Sequence, residues 1–422
     1  MTTSTDTGAV ILPGKSKGAL RAFRHRNFRI GYPANLVSNI GTWTQRIAQD
    51  WLVLQLTHSS ADLGFVTALQ FLPTIFVSTW GGLLADRFNK RVLLIYTNLG
   101  SAISAFILGF LVLGNAVELW HVYVLALVLG IFGAIDAPIR QAFTSELVGA
   151  ADLPSAISLN SASFNIGRLV GPAVSGFLIQ AFGTGPSFII NAVSYLAAIM
   201  ALLAMRTGQL DTAKPAAKGS QIREAFSYIR SRPDLMLVMA AVFTTATFGL
   251  NFQMFMAIMS TQVFHRQAAA FGLLGTALAV GSLSGALLSA RLERHRTPRK
   301  IMLWMIAFGL SLSVMAFATD YYAFAAMLPV GGVLALIGLI SANSYVQTTT
   351  EPTLRGRVMG VYLMIFMGGT PIGASVLGLV AQQAGIRLTI LVCGLVTAAA
   401  ASVFLILVTR ARSKATSPLE LS

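Results

Sequence analysis

The sequence predicts an all-α membrane protein: twelve transmembrane helices in two pseudo-symmetric six-helix halves, with both termini in the cytoplasm. Three observations predict it: an apolar composition, twelve runs long enough to cross a bilayer, and landmarks that recur at nearly one offset. Of the 422 residues 55% are hydrophobic and only 11% charged, and the mean hydropathy is +0.71. Soluble domains draw about a quarter of their residues from the charged set, so this chain carries too much apolar surface for a water-soluble core. Its solvent is lipid.

A helix crosses the hydrocarbon layer with about 20 apolar residues. Suitable runs lie at 30–56, 62–85, 92–114, 120–144, 156–181, 184–205, 235–263, 269–290, 301–319, 322–348, 358–383 and 386–409. Backbone groups in lipid must pair within their own segment, and the alternating polarity of barrel strands is absent, so the spans are helices. The first span holds Arg46 and Asp50 and lacks a small-residue cleavage site, which marks it as a retained helix and not a signal peptide.

With the amino terminus inside, segments 1–29, 86–91, 145–155, 206–234, 291–300, 349–357 and 410–422 carry 25 of the 30 Lys and Arg. The external connections hold only Arg266 and Arg387. That asymmetry places both termini in the cytoplasm. The sequence has no Asn-x-Ser/Thr acceptor, which fits the expected location in a bacterial inner membrane. It also accounts for the +15 net charge, which serves as topology signals and lipid-headgroup contacts. No stripe or fold for nucleic acid accompanies it.

Other chemistry is poorly supplied. Cys393 is alone, which excludes an internal disulfide and a thiolate metal site. The five His fall in tails or loops without metal-ligand spacing, no phosphate-gripping loop is present, and Ser, His and Asp share no common depth. No metal, no cofactor and no enzymatic activity are expected.

The chain also repeats itself. GGLLADR (Gly81–Arg87) ends span 2 and GALLSAR (Gly285–Arg291) ends span 8, at an offset of 204; Glu146 and Glu351 differ by 205, and Pro172 and Pro371 by 199. Each pair occupies one place in its helix, which divides the chain into halves 30–205 and 235–409, a linker 206–234, and tails 1–29 and 410–422. Within the linker, Gln221–Arg232 (QIREAFSYIRSR) puts Ile222, Ala225, Phe226 and Ile229 on one helical face. That reads either as an amphipathic helix on the membrane surface or as a solvated linker helix.

The loop between spans 2 and 3, GGLLADRFNKR, carries Gly82, Leu84, Ala85, Asp86, Arg87, Lys90 and Arg91 in the pattern G-x-L-A-D-R-x-x-K-R. With the two joined halves, it resembles the major facilitator superfamily of secondary transporters. PIRQAFTSELV (Pro138–Val148) and NIGRLVGPAVSG (Asn165–Gly176) are similar to the bacterial exporter subgroup that includes the enterobactin exporter. The departure is Asn89 where the family has Gly; Asn tolerates left-handed backbone, so a tight turn is expected there. The resemblance implies that Asp86 meets the partner half near Arg355 and Arg357, while Lys90 or Arg91 reaches Glu146. Such a cluster forms a cytoplasmic gate latch that breaks when the halves rock.

Ionisable residues at membrane depth cost about 2.5–3.5 kcal/mol each and are seldom idle. Five fall inside spans: Arg46, Asp50, Asp136, Arg140 and Arg168, all in the first half. Counting ~1.5 Å per residue from the cytoplasmic end puts Asp136 and Arg168 at similar heights on neighbouring helices, so they are expected to face one another, with Arg140 one turn below. Arg46 and Asp50 form an i, i+4 couple beside Gln45 and Gln49, readable as a substrate or proton site, an external-gate ion pair, or a lipid-snorkelling arrangement. Proton coupling needs an intramembrane carboxylate, and Asp50 and Asp136 are the two available.

Gly167, Gly171, Pro172 and Gly176 form a GxxxGPxxxG stretch in span 5, which allows close helix contact and a bend. In the superfamily a glycine-proline motif at this place is associated with antiporters. The second half offers uncharged polar groups, Asn251 and Gln253 in span 7 and Ser341, Asn343, Gln347 and Thr348 in span 10, among many Met and Phe that adapt to irregular apolar ligands. The expected function is proton-driven export of a bulky amphipathic molecule by a monomer whose partners are substrate, protons and lipids. The alternatives are a proton-coupled importer of the same fold and a lipid flippase or transporter-like receptor.

Overall fold

The computed structural model describes residues 20–209, 222–292, 297–351 and 354–415. Twelve long helices account for nearly all of them: α1 Arg26–Thr57, α2 Ser60–Arg87, α3 Lys90–Leu113, α4 Leu119–Gly149, α5 Ala151–Phe182, α6 Gly185–Ala204, α7 Pro233–Val263, α8 Ala268–Arg291, α9 Pro298–Met315, α10 Tyr321–Thr349, α11 Arg355–Ala384 and α12 Ile386–Ala415. Among the described residues there is no strand, and all of these helices except α1 are long and apolar enough to cross a membrane. Twelve alternating crossings bring both ends of the chain to one face, here called the terminal face.

Local chemistry sets the helix ends. The Ser59 side chain accepts the Asp62 amide to start α2, and Thr297 does the same for Lys300 at α9. Asp320 Oδ1 takes the amides of Tyr322 and Ala323 at the start of α10. Asn89 is extended, with φ −64° and ψ 114°, and its side chain accepts the Val92 amide at 3.3 Å. The expected left-handed turn is therefore replaced by an N-cap, since the residue before a helix needs an acceptor and not a positive φ.

A second correction concerns residues 145–155, expected as a loop. Helical backbone runs through them except at Gly149, whose φ of 65° turns the chain in a single residue from α4 to α5. Residues 20–25 dock against this corner: Arg21 and His25 both reach Asp152 at 2.9 Å, and Ala22 and Phe28 pack with Val148 and Ala156.

Helix α7 is irregular. Two π-helical turns, Thr245–Gly249 and Met259–Val263, flank a break at Leu250–Asn251. The linker helix, Ile222–Ser231, buries Ala225 and Ile229 with α7, α9, α10 and α11, while Phe226 is exposed. It is docked on the second half through those two residues, so its expected four-residue apolar face is only partly used; Ile222's side chain lies outside the described residues.

Candidate functional site

Glycine decides where the halves touch. A Cβ on Gly64 of α2 would lie 2.3 Å from the Ala374 oxygen and 3.0 Å from Gly378 Cα, both on α11. On Gly272 of α8 it would lie 2.3 Å from the Pro172 oxygen and 3.1 Å from Gly176 Cα, both on α5. The two seams are copies: in each, a glycine meets a carbonyl and, four residues further on, a second glycine. Both lie toward the face opposite the termini, since α2 and α8 begin there and α5 and α11 end there.

The remaining cross-half bonds follow the same bias. Gln253 Nε2 donates to Asp50 Oδ2 at 2.6 Å, Gln262 Nε2 to the His58 carbonyl at 3.2 Å, and the Ser60 amide to Gln382 Oε1 at 2.8 Å. Near that face one apolar core runs through both halves, from Ile47, Leu52 and Leu63 to Met254, Phe255, Phe271 and Leu377. Toward the terminal face the cores are separate: Leu94, Ile139 and Phe143 belong to the first half, Val238, Met302 and Tyr345 to the second. The molecule is thus fastened across the face opposite its termini.

At the centre of the fastening is Asp50, a carboxylate only 4% exposed. It does not pair with Arg46. The Arg46 guanidinium lies over Trp43 and Phe71, 5.1 and 5.0 Å from their ring centres, and Asp50 turns to Gln253 of α7. A base one turn before an acid is the weaker helical order, and two aromatic faces offer the cation a competing place. Nearby, Gln45 accepts from Asn191 at 2.6 Å in a buried bond between α1 and α6.

Asp136 also departs from expectation. Arg140 Nε and Nη2 hold it from one turn along α4 at 2.7 and 2.9 Å, and Thr97 Oγ1 and Asn98 Nδ2 donate from α3 at 2.8 and 3.3 Å. Arg168 makes no ion pair with it. A bidentate partner within the same helix is always in reach, whereas a partner on α5 requires two helix faces to coincide. Arg140 also donates to Asn35 at 3.4 Å and, with Thr144 and Asn160, lines a narrow cavity inside the first half. Replacing Asp136 by Asn leaves Arg140 without its counter-charge. The variant should lose of the order of 1–3 kcal/mol, read as a lower melting temperature in detergent, while Asp50→Asn should hardly change it. Equal melting of the two variants would remove this distinction.

In the second half, Asn251 is buried and donates to the Thr247 carbonyl at 2.8 Å. The π-helical turn beneath it pushes that carbonyl against α11, where only glycine fits at Gly373. Asn343 is half-buried and Gln347 exposed on α10, and the Tyr362 hydroxyl donates to the Leu339 carbonyl of that helix at 3.4 Å.

The expected latch is partly assembled. Lys90 Nζ reaches Glu146 Oε1 at 2.7 Å, both largely buried. Arg91 instead donates to the Leu202 and Leu203 carbonyls at 2.6 and 2.8 Å, closing the end of α6. Arg357 pairs with Glu224 of the linker helix, and Arg355 and Arg87 are exposed. Gly82 lies within α2, and the side chain of Asp86 lies outside the described residues. The glycine-proline stretch divides its work: Gly167 and Gly171 pack on Asn39 and Trp43 of α1, while Pro172 and Gly176 form the α8 seam.

The sequence reading did not foresee Gln253 as the partner of Asp50, nor the glycine seams. A signal for the seams was present, since Gly64 and Gly272 differ by 208 and Gly176 and Gly378 by 202, close to the repeat offset.

A family model described as transmembrane secretion effector matches residues 17–420. The chain is 24% identical to the staphyloferrin A transporter of Staphylococcus aureus, covering 86% of this chain and 92% of that one. It is 29% identical to the multidrug efflux pump Tap of Mycolicibacterium fortuitum (86% and 91% covered) and 23% identical to the enterobactin exporter EntS of Citrobacter koseri (84% and 85%). Among solved structures, it is similar to a bacterial homologue of the human lysosomal transporter Spinster, inward-facing and unoccupied, with a TM-score of 0.74 at 15% identity over 95% of this chain and 99% of that one. The D-xylose-proton symporter gives 0.70 at 14% identity, covering 92% and 97%.

Proposed function

Since the chain belongs to the transmembrane secretion effector family of the major facilitator superfamily, we propose that it exports a bulky amphipathic small molecule from a bacterial cytoplasm by proton antiport. The observation that carries this reading is Asp50. It is a buried carboxylate placed where the two halves meet, with one uncharged partner that belongs to the opposite half.

The cycle follows from that placement. With the termini in the cytoplasm, the fastened face is external and the structure is inward-facing, ready to take substrate from inside. Opening the outer face must part α1 from α7 and break the Asp50–Gln253 bond, which exposes the carboxylate to external protons. A neutral Asp50 can re-enter the apolar seam at lower cost than a charged one, so protonation favours reclosure and couples proton entry to the return step. The Met- and Phe-rich surroundings and the uncharged Asn343 and Gln347 suit an irregular apolar body with few hydrogen-bonding groups. Siderophore and drug names among the relatives agree with that class of substrate.

The test uses inside-out vesicles. Acidifying the lumen should drive accumulation of a transported dye or siderophore within them; efflux under the same gradient would reverse the direction to import, and no response would remove the proton as the coupling ion.

A further inference from the structure

At the fastened face the two halves border a second polar site, open to solvent, that the transport cycle does not use. A cavity of ≈ 350 Å³ lies between the ends of α1 and α7, lined by Trp51, Leu54, Gln55, His58, Thr261, Gln262, His265 and Arg266. Its construction repeats across the halves. His58 follows α1 and His265 follows α7, at an offset of 207, and both adopt the left-handed backbone conformation, with φ of 51° and 48°. Each helix therefore ends by turning an imidazole into the same space. Left-handed backbone costs a non-glycine residue about 1 kcal/mol or more, and here it occurs twice at equivalent places.

Donors dominate the lining. Arg266, the two imidazoles and Gln55 bring donors to it, while Gln262 Nε2 is given to the His58 carbonyl and Thr261 Oγ1 to the Ala257 carbonyl. The floor is apolar: Leu54 is buried and Trp51 stacks on Phe271. The charged neighbours are few. Asp320 is the carboxylate nearest in effect to Arg266, but it is committed to capping α10, and the amides of Ala323 and Tyr322 hold it below the usual carboxylate range. Asp62 accepts from the Tyr123 hydroxyl at 2.7 Å, and Arg387 donates to the Ala316 carbonyl. Tyr321 and Tyr322 flank the Arg266 guanidinium, with ring centres 5.7 and 5.9 Å away, and leave its edge free to bond.

We propose that this cavity is a binding site for an organic carboxylate with a flat apolar body, its anion held by Arg266 and the two histidines and its body resting on Trp51 and Leu54. A ligand there bridges α1 and α7 and so binds only while the face is fastened. It holds the inward-facing state by its own binding energy and acts as an external brake on the cycle.

Equilibrium dialysis of labelled benzoate against the full chain in lipid nanodiscs, at about pH 7 where a carboxylate is ionised, tests this. Saturable binding is expected, with benzyl alcohol a poor competitor. Arg266→Gln should weaken it about tenfold, the worth of one charge-assisted hydrogen bond, and His58→Gln with His265→Gln should weaken it by a similar factor. Equal competition by benzyl alcohol would mean apolar partition only, and displacement by inorganic phosphate at equal concentration would mean a site for small anions. Either result, or unchanged binding in a monodisperse Arg266→Gln protein, overturns the proposal. None of these readouts depends on the direction of transport, so they stand or fall apart from the export reading.

Discussion

Valine at Gly272, or at Gly64, should abolish transport by preventing the face opposite the termini from closing. A Cβ at either position falls 2.3 Å from a carbonyl oxygen of the other half, well inside van der Waals contact, and that oxygen belongs to helix backbone that cannot swing aside. Overpacking of this kind costs about 1–3 kcal/mol, and valine adds two methyl groups beyond the Cβ. Conformational equilibria of transporters are set by differences of the same size, so the fastened state should fall by roughly 5- to 150-fold in population. A cysteine placed at Ala268, which is 2% exposed at the fastened face, with Cys393 replaced by Ser, should react faster with an impermeant maleimide in each valine variant. The pseudo-symmetry sharpens the expectation, because the two substitutions should behave alike although they lie on different helices. Unchanged labelling in both would mean that these contacts do not hold the face shut.

Asn at position 50 should abolish uphill export and leave downhill exchange largely intact. The side-chain oxygen of Asn can still accept from Gln253 Nε2, so the fastening survives, while the one group there that can carry a proton is gone. In proteoliposomes, accumulation against a gradient should fall by at least about tenfold, while counterflow of preloaded substrate stays within about twofold of the parent. Normal pumping by this variant would move the coupling away from α1, and Asp136 is poorly suited to inherit it because four donor contacts already stabilise its charge.

How much of this was legible beforehand depended on whether the information was local. Hydropathy over about 20 residues is a local property, and it located every span to within a few residues except at the α4–α5 corner. There, one glycine at positive φ replaced what read as an eleven-residue loop. Lys90 with Glu146 was accessible because both lie at helix ends on the same face of one half. The pairing of Asp50 with Gln253 was not, since the two are 203 residues apart and the nearer Arg46 looked like a sufficient partner. Asp136 misled in the opposite sense: height along the membrane suggested Arg168, yet the closer Arg140 on the same helix took both carboxylate oxygens. Depth narrows the choice of partners, and helix rotation then selects among them.

The polarity of α1 bears on how the molecule is assembled. Among the described helices of membrane-crossing length it is the one too polar to qualify by composition. Several of its polar groups find partners in later segments: Thr44 at Gly171, Gln45 at Asn191, Asn27 at Arg206 and Asp50 at Gln253. At about 5–20 residues per second of synthesis, the 203 residues from Asp50 to its donor Gln253 take roughly 10–40 s to appear. For that interval the first helix made waits for the partner of its buried carboxylate, and Ser60 at the start of α2 waits longer still, for Gln382. Consolidation of the first half in the membrane therefore depends on segments of the second half that are made after it.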